Sequence, residues 1–338
     1  MKKVLLLLLS LLAGVALFIW VLRTVGWQEI KNALLVFSGW QGLVILFITF
    51  LMAVFGTWKW KAILDGKGQK ISFGELFRYY LATFSIRLFI PIAIIGAEIF
   101  QGYILKKKND VPWDKGMASV IIDRILEWTA NLTVIILGAV AFLLMIGIPP
   151  MNLIIIFGSV LLILTAAISF FYFKAFKRQS LAKFFCWFLS HGQENQLVDI
   201  EKETFLFFKP RKSHMWKVLG LNFLRAGFML LRTWILIIFL GGKISVLSAL
   251  SVLSFTYLAV ALPIPTALGS HEAIQSFAFN YLHLKTATAT AFTMIIRGAE
   301  VLTALVGVII FFRLGAFLIK ATIFKRFNNC SNNHDGNQ

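Results

Sequence analysis

Hydrophobic residues run along this chain in long blocks separated by short basic interruptions. They show neither the alternation of a half-buried strand nor the one-sided stripe of a soluble helix. A membrane-crossing helix needs about 20 mostly apolar residues. Seven stretches meet that need without interruption: 4–22, 40–58, 117–147, 152–173, 217–240, 243–262 and 287–312. The first follows Lys2 and Lys3, the order of a secretory signal peptide. Its apolar run is long, however, and no small-x-small cleavage site follows before Trp27, so a retained span is expected.

Two further stretches are apolar but punctuated. Residues 80–104 carry Arg87, Pro91, Gly96 and Glu98, and residues 261–283 carry Pro263, Pro265, Gly269, His271 and Glu272. Proline removes a backbone donor and obstructs the preceding turn, so both read as broken or re-entrant helices. Irregular backbone at membrane depth is tolerated only against protein or a water-filled cavity. Both segments are therefore expected to line an interior site.

The polar interruptions carry an orientation. Lys59, Lys61, Lys67, Lys70 and Arg78 lie in the 59–78 loop, and Lys106, Lys107, Lys108 and Lys115 in the 105–116 loop. The 174–216 loop holds Lys174, Lys177, Arg178, Lys183, Lys202, Lys209, Arg211 and Lys212. Arg23, Lys31 and Lys243 are the only cations of the opposite loops. The positive-inside rule makes the N-terminus and the three basic loops cytoplasmic, in the cell (inner) membrane. Basic loops on both sides of 80–104 make that segment re-entrant. If 261–283 also re-entered, the basic C-terminus would fall outside. The expectation is an all-α polytopic membrane protein with about eight crossings and both ends cytoplasmic. One membrane domain spans 1–324. Within the 174–216 loop, Leu181, Phe184, Phe185, Trp187 and Phe188 read as a helix lying in the membrane interface. Residues 325–338 read as a disordered polar tail.

Composition agrees and narrows the class. With 59% hydrophobic and 14% charged residues, the chain departs from a globular domain in both respects. Soluble enzymes, collagen-like chains and disordered chains are excluded. A formal charge of +18 would by itself suggest nucleic acid. With this hydrophobicity it reports cationic loops facing an anionic membrane surface, and nucleic acid is not an expected partner. Cys186 and Cys330 form no disulfide framework. The histidines show neither H-x-x-x-H nor H-E-x-x-H spacing, and no P-loop or Gly-x-Ser-x-Gly elbow occurs. No metal or cofactor is expected.

The sharpest pattern is a repeat built of residues that hydrocarbon disfavours. Pro91, Glu98, Arg124 and Glu127 recur as Pro265, Glu272, Arg297 and Glu300, offset by 174 positions for the first two and 173 for the last two. Gly96 and Gly269 lie between Pro and Glu in both sets. A broken segment followed by a charged helix is therefore duplicated, the usual sequence pointer to a transporter's binding site near mid-membrane. A charge at a helix centre costs roughly 2.5–3.5 kcal/mol on insertion scales, so such residues face interiors and find partners. Arg124 and Glu127, and likewise Arg297 and Glu300, share a helix face at i, i+3, and Asp123 adds a carboxylate to the first pair. These pairs are candidate headgroup contacts or, equally, structural ties between helices. Glu98 and Glu272 have no nearby cation at helical spacing, His271 apart, and must find distant partners. Arg225 and Arg232 share a face seven apart. Arg225 is expected to snorkel to the surface and Arg232 to lie deeper, as a contact for an anionic headgroup.

The segments FIPIAIIGAEIFQGYILKK with VIIDRILEW, and LPIPTALGSHEAIQSFAF with IIRGAE, resemble the flippase-like integral membrane family typified by the transmembrane domain of lysylphosphatidylglycerol synthetase/flippase. The likeness covers most of residues 1–320. It departs at Thr266-Ala267-Leu268-Gly269, where family members more often carry Pro-Gly-Gly-x-Gly after the second proline. The resemblance implies a protein that moves lipid headgroups between leaflets. Membrane lipids would be its partners, with a second copy of the chain or a separate lipid-modifying enzyme as protein partner. Aminoacylation is not implied, because that activity resides in a separate soluble domain. Polyprenyl-phosphate-linked sugar transfer is the alternative that stand-alone relatives suggest. Within this reading Arg124, Arg297 and Arg232 attract a lipid phosphate, while Glu98 and Glu272 hold a cationic or hydroxyl-rich headgroup or exchange a proton.

Overall fold

The structure is a computed structural model that describes residues 39–89, 94–147, 151–177, 194–208, 213–261, 270–284 and 286–332. These form helices α1 (Trp40–Gly66), α2 (Phe73–Phe89), α3 (Ile94–Asn109), α4 (Trp113–Ile146), α5 (Met151–Lys177), α6 (Glu194–Phe207), α7 (Ser213–Phe239), α8 (Val246–Ala261), α9 (Ser270–Tyr281) and α10 (Thr286–Asn332). No strand occurs among the described residues. Among the described residues, five stretches of helix are long and apolar enough to cross a membrane: Trp40–Gly66, Trp113–Ile146, Gly158–Ala175, His214–Phe239 and Thr288–Gly315. The 4–22 span and the interfacial helix expected around 181–188 lie outside the described residues.

The duplication seen in sequence extends to whole helices. α1, α2 and α4 each begin 173 positions before α7, α8 and α10, and α1 and α7 are both 27 residues long. α1 and α7 pack antiparallel along their length. Trp40 meets Phe239 at one end (ring centroids 5.1 Å apart), Phe55 meets Phe228 in the middle (4.9 Å), and Gly66 lies against His214 at the other end. Helices related by the repeat therefore run in opposite directions.

Each half contains a helical hairpin, and the two hairpins enter from opposite ends. At the end bearing the basic loops, Leu64, Ile71, Leu76, Leu105 and Val111 share one core cluster, so both open ends of α2–α3 lie there. At the far end, Val252 of α8 and Phe279 of α9 pack with Ile45, Ile237 and Ala289. Phe142, near the end of α4, meets Phe255 and Tyr281 there. The helical run stops at Phe89 and resumes at Ile94, with Pro91 in the intervening sequence. It stops again at Ala261 and resumes at Ser270, with Pro263 and Pro265 between. Those three prolines and Gly269 lie outside the described residues. Gly96 does not mark the break: it sits within the first turn of α3, since the interruption falls upstream of it.

Residues 243–262 read from sequence as an uninterrupted span, yet they supply the first arm of the second hairpin. α8 has 16 residues, about 24 Å of helix, against a hydrocarbon core of about 30 Å. α10 then runs from the far end back to the basic end, where Leu314 joins Trp60 and Tyr79. It continues as helix to Asn332, so residues 325–332, expected to be a disordered tail, extend it instead. Helix propagation adds one bond per residue fixed, which lets an established helix run on through polar sequence.

The hairpins are clasped crosswise. α8 packs on α4, and α2 packs on α10. Both crossings rely on glycine for close approach. A Cβ on Gly138 would collide with Ser254 and the Leu250 carbonyl, and one on Gly307 with the Leu81 carbonyl. α5 lies outside the repeat with most of its apolar face exposed. α6 caps the basic end through Phe207 and Phe208 against Ile122, Leu126 and Tyr172, and Glu203 ties it to Lys67 at 2.9 Å.

Candidate functional site

α1 and α7 carry polar side chains along one face each. On α1, Thr49, Met52, Gly56 and Lys59 follow the 3-4-3 spacing of a helix face. Asn222, Arg225, Met229 and Arg232 do the same on α7. Because the two helices are antiparallel, Lys59 comes level with Asn222, and Arg232 with Thr49. Lys59 Nζ lies 3.1 Å from Asn222 Oδ1, and Arg232 Nη1 donates to Thr49 Oγ1 at 3.3 Å. The repeat offset of 173 relates Lys59 to Arg232 and Thr49 to Asn222, so these contacts are equivalent under the duplication. They stand ten residues apart on either helix, about 15 Å along the axis.

At the level of Lys59, an ion-pair network joins both halves. Lys59 has no exposed side-chain surface; its ammonium sits 3.1 Å from Asp123 Oδ1 and 3.3 Å from Glu127 Oε2. Arg124 pairs with Asp123 and, at 2.8 Å, with Glu127. Arg225 donates to Glu127 Oε1 from the other half of the molecule. Arg87 and Arg124 face Glu98 Oε1 at 3.3 and 3.9 Å. Four cations thus meet three carboxylates, a formal excess of one positive charge. Lys59 and Asp123 are sealed. Arg87, Glu98, Arg124, Glu127 and Arg225 keep between 15 and 23% of their side-chain surface exposed, so this part of the network is only partly sealed.

The second level shows fewer ion pairs among the described side chains. Arg232, 1% exposed, faces Glu300 Oε1 at 3.3 Å. Arg297 is half-buried on α10. Glu272 falls in the first turn of α9, with its side chain outside the described residues. Asp123 has the apolar Ile296 as its counterpart, and Arg225 has Met52.

The structure therefore brings Glu98, Asp123, Arg124 and Glu127 together, and separately Arg232 and Glu300. Glu98 finds its partner on α2, within its own hairpin. Arg225 does not snorkel, because Glu127 holds it inside the bundle. Arg232 is buried against Glu300 and Thr49. Lys59, counted from sequence as a loop cation, is the hub of the first network. Its offset from Arg232, matched by that of Thr49 from Asn222, is the signal that would have found it. Among the described residues no group of three or more His, Cys, Asp or Glu side chains is arranged to hold a metal ion.

A family model described as lysylphosphatidylglycerol synthase TM region matches residues 7–307. The chain is 24% identical over 310 residues to a UPF0104 membrane protein of Methanocaldococcus jannaschii, covering 88% of this chain and 90% of that protein. It is 27% identical over 259 residues to a UPF0104 membrane protein of Pyrococcus horikoshii, covering 71% of this chain and 76% of that one. No solved structure matches it.

Proposed function

Because this multi-pass membrane protein belongs to the lysylphosphatidylglycerol synthase TM-region family, we propose that it is a transporter. Its cargo is the polar headgroup of a phospholipid or other lipid-linked compound, carried between membrane leaflets. The supporting observation is the pair of oppositely directed hairpins, with charged clusters at two levels about 15 Å apart along α1 and α7. In this reading the basic end faces the cytoplasm in the cell (inner) membrane. The α2–α3 hairpin meets the headgroup from that leaflet and α8–α9 from the other, while the acyl chains stay in the bilayer. Arg87, Arg124 and Arg225 offer the phosphate charge-assisted hydrogen bonds that hydrocarbon lacks. Glu98 and Glu272 receive the rest of the headgroup.

The test is reconstitution into vesicles with labelled phospholipids and, in parallel, polyprenyl-phosphate sugars. Glu98→Gln and Glu272→Gln are each expected to slow transbilayer movement at least about tenfold, the loss of one charged hydrogen bond. Undiminished movement in both variants would overturn the headgroup assignment. Sugar or aminoacyl transfer by the purified protein would make it an enzyme instead.

A further inference from the structure

The α2–α3 hairpin and the adjoining α4 carry polar groups that their ion pairs leave unused. Arg87 Nε and Nη2, Arg124 Nε and Gln101 Nε2 are buried donors without a hydrogen bond. Glu98 Oε1 and Oε2 and Gln101 Oε1 are buried acceptors in the same condition. Arg87 and Glu98 are close enough to attract each other but are not aligned to bond. Gln101 lies one turn beyond Glu98 on the same face of α3 and is only 1% exposed. A buried amide with neither end satisfied is rare in folded proteins and costly.

The other half shows that the fold can satisfy the donor end of a glutamine at this place. Gln275, the counterpart 174 positions on, donates to Thr256 Oγ1 at 2.7 Å and to the Val252 carbonyl at 3.4 Å. Gln275 Oε1 is also without a partner, so the halves differ in that the first leaves both ends of the amide open, beside two arginines and a carboxylate.

Those groups define a ligand by charge and hydrogen-bonding capacity. The network's excess of one positive charge is cancelled by a singly charged phosphodiester, whose oxygens accept from Arg87 and Arg124. A phosphomonoester dianion would leave a net negative charge, a zwitterion would leave the positive charge uncancelled, and a cationic headgroup would add to it. The remaining groups include both acceptors, on Glu98 and Gln101, and a donor, Gln101 Nε2. An ammonium group only donates, whereas a hydroxyl donates and accepts. Building on the headgroup-transport reading above, we infer that the α2–α3 hairpin recognises a singly anionic phosphodiester bearing hydroxyls, a polyol or sugar phosphodiester. Gln101 is the contact that reads the hydroxyl.

The test is equilibrium binding to the purified full-length chain in detergent, followed by tryptophan fluorescence, with no transport required. The probes are short-chain phosphatidylglycerol, phosphatidylmethanol, phosphatidylcholine and an aminoacylated phosphatidylglycerol, with water-soluble glycerophosphoglycerol as the lipid-free arm. Phosphatidylglycerol is expected to bind about tenfold tighter than phosphatidylmethanol, which has the same charge and no hydroxyl, and tighter still than the zwitterionic and cationic lipids. Gln101→Leu should lower phosphatidylglycerol to the level of phosphatidylmethanol and leave phosphatidylmethanol unchanged. Equal binding of phosphatidylglycerol and phosphatidylcholine to the wild type would overturn the inference without recourse to any variant. A Gln101→Leu loss shared equally by all lipids would also overturn it, since that marks a structural role. Tighter binding of glycerophosphoglycerol than of the lipid would support the hairpin's chemistry and assign the ligand's source to solution. Selective binding without transbilayer movement would uphold this site and overturn the transport reading. Transbilayer movement without headgroup preference would do the reverse.

Discussion

The two halves wrap the same backbone plan around different amounts of charge. In the first, Lys59 is sealed from solvent between Asp123, Glu127 and Asn222, and the partly exposed Arg87, Glu98, Arg124 and Arg225 extend the network. In the second, Arg232 occupies the equivalent position with Glu300 and Thr49, and the places of Asp123 and Arg225 are taken by Ile296 and Met52. The contacts that lie between α1 and α7 recur in both halves, as they must if they hold the antiparallel pair together. What differs lies on the side of the hairpins. Duplication thus kept the joint and let the lining diverge, so that one level is a dense, net-positive cluster while the described side chains of the other set Arg232 against Glu300.

That contrast sets an order of expected effects. Lys59→Met should be the most damaging, because it strips Asp123 and Glu127 of a shared, fully buried cation. Breaking a buried pair in this way costs about 3–5 kcal/mol. A matching fall in the denaturation midpoint in detergent checks it, and a loss below about 1 kcal/mol would mean that the first network is not what holds the halves together. Adding Asp123→Ile, which copies the second half at that position, should recover much of the loss by removing the buried carboxylate that has lost Lys59 and keeps only Arg124. Failure to recover would place the damage in packing around Lys59 rather than in charge.

Arg232→Met should cost less, about 2 kcal/mol, because Glu300 keeps 29% of its side-chain surface exposed and can be hydrated when left alone. A cost equal to that of Lys59→Met would erase the distinction between the halves. The smallest effect belongs to Asp199→Asn on α6, whose partner Lys202 is largely exposed. Solvent screening holds that pair below about 0.5 kcal/mol, and thermal unfolding of the variant should match wild type.

Much of this organisation is written in local patterns. The apolar blocks reveal a polytopic helical protein because every buried backbone group in lipid must be satisfied within its own helix. The prolines 91, 263 and 265 fall in the intervals between Phe89 and Ile94 and between Ala261 and Ser270, and the Pro-Glu-Arg-Glu repeat is duplicated helix for helix. Residues 243–262 show where such patterns stop. An apolar run of this length is compatible with a full crossing or with one arm of a hairpin, and only packing of α8 against α9 and α4 distinguishes them.

The sequence alone therefore determined the membrane class, the segmentation into helices, the duplication and the scarcity of internal acids, since these follow from composition and spacing within single segments. Tertiary structure alone decided that the repeats are inverted, that Arg225 turns inward to Glu127, that Arg232 is closed off, and that Lys59 is a hub rather than a loop cation. Each of these depends on which helix lies opposite, and a charge in a low-dielectric interior takes its role from a partner that can be 163 positions away, as Asn222 is from Lys59.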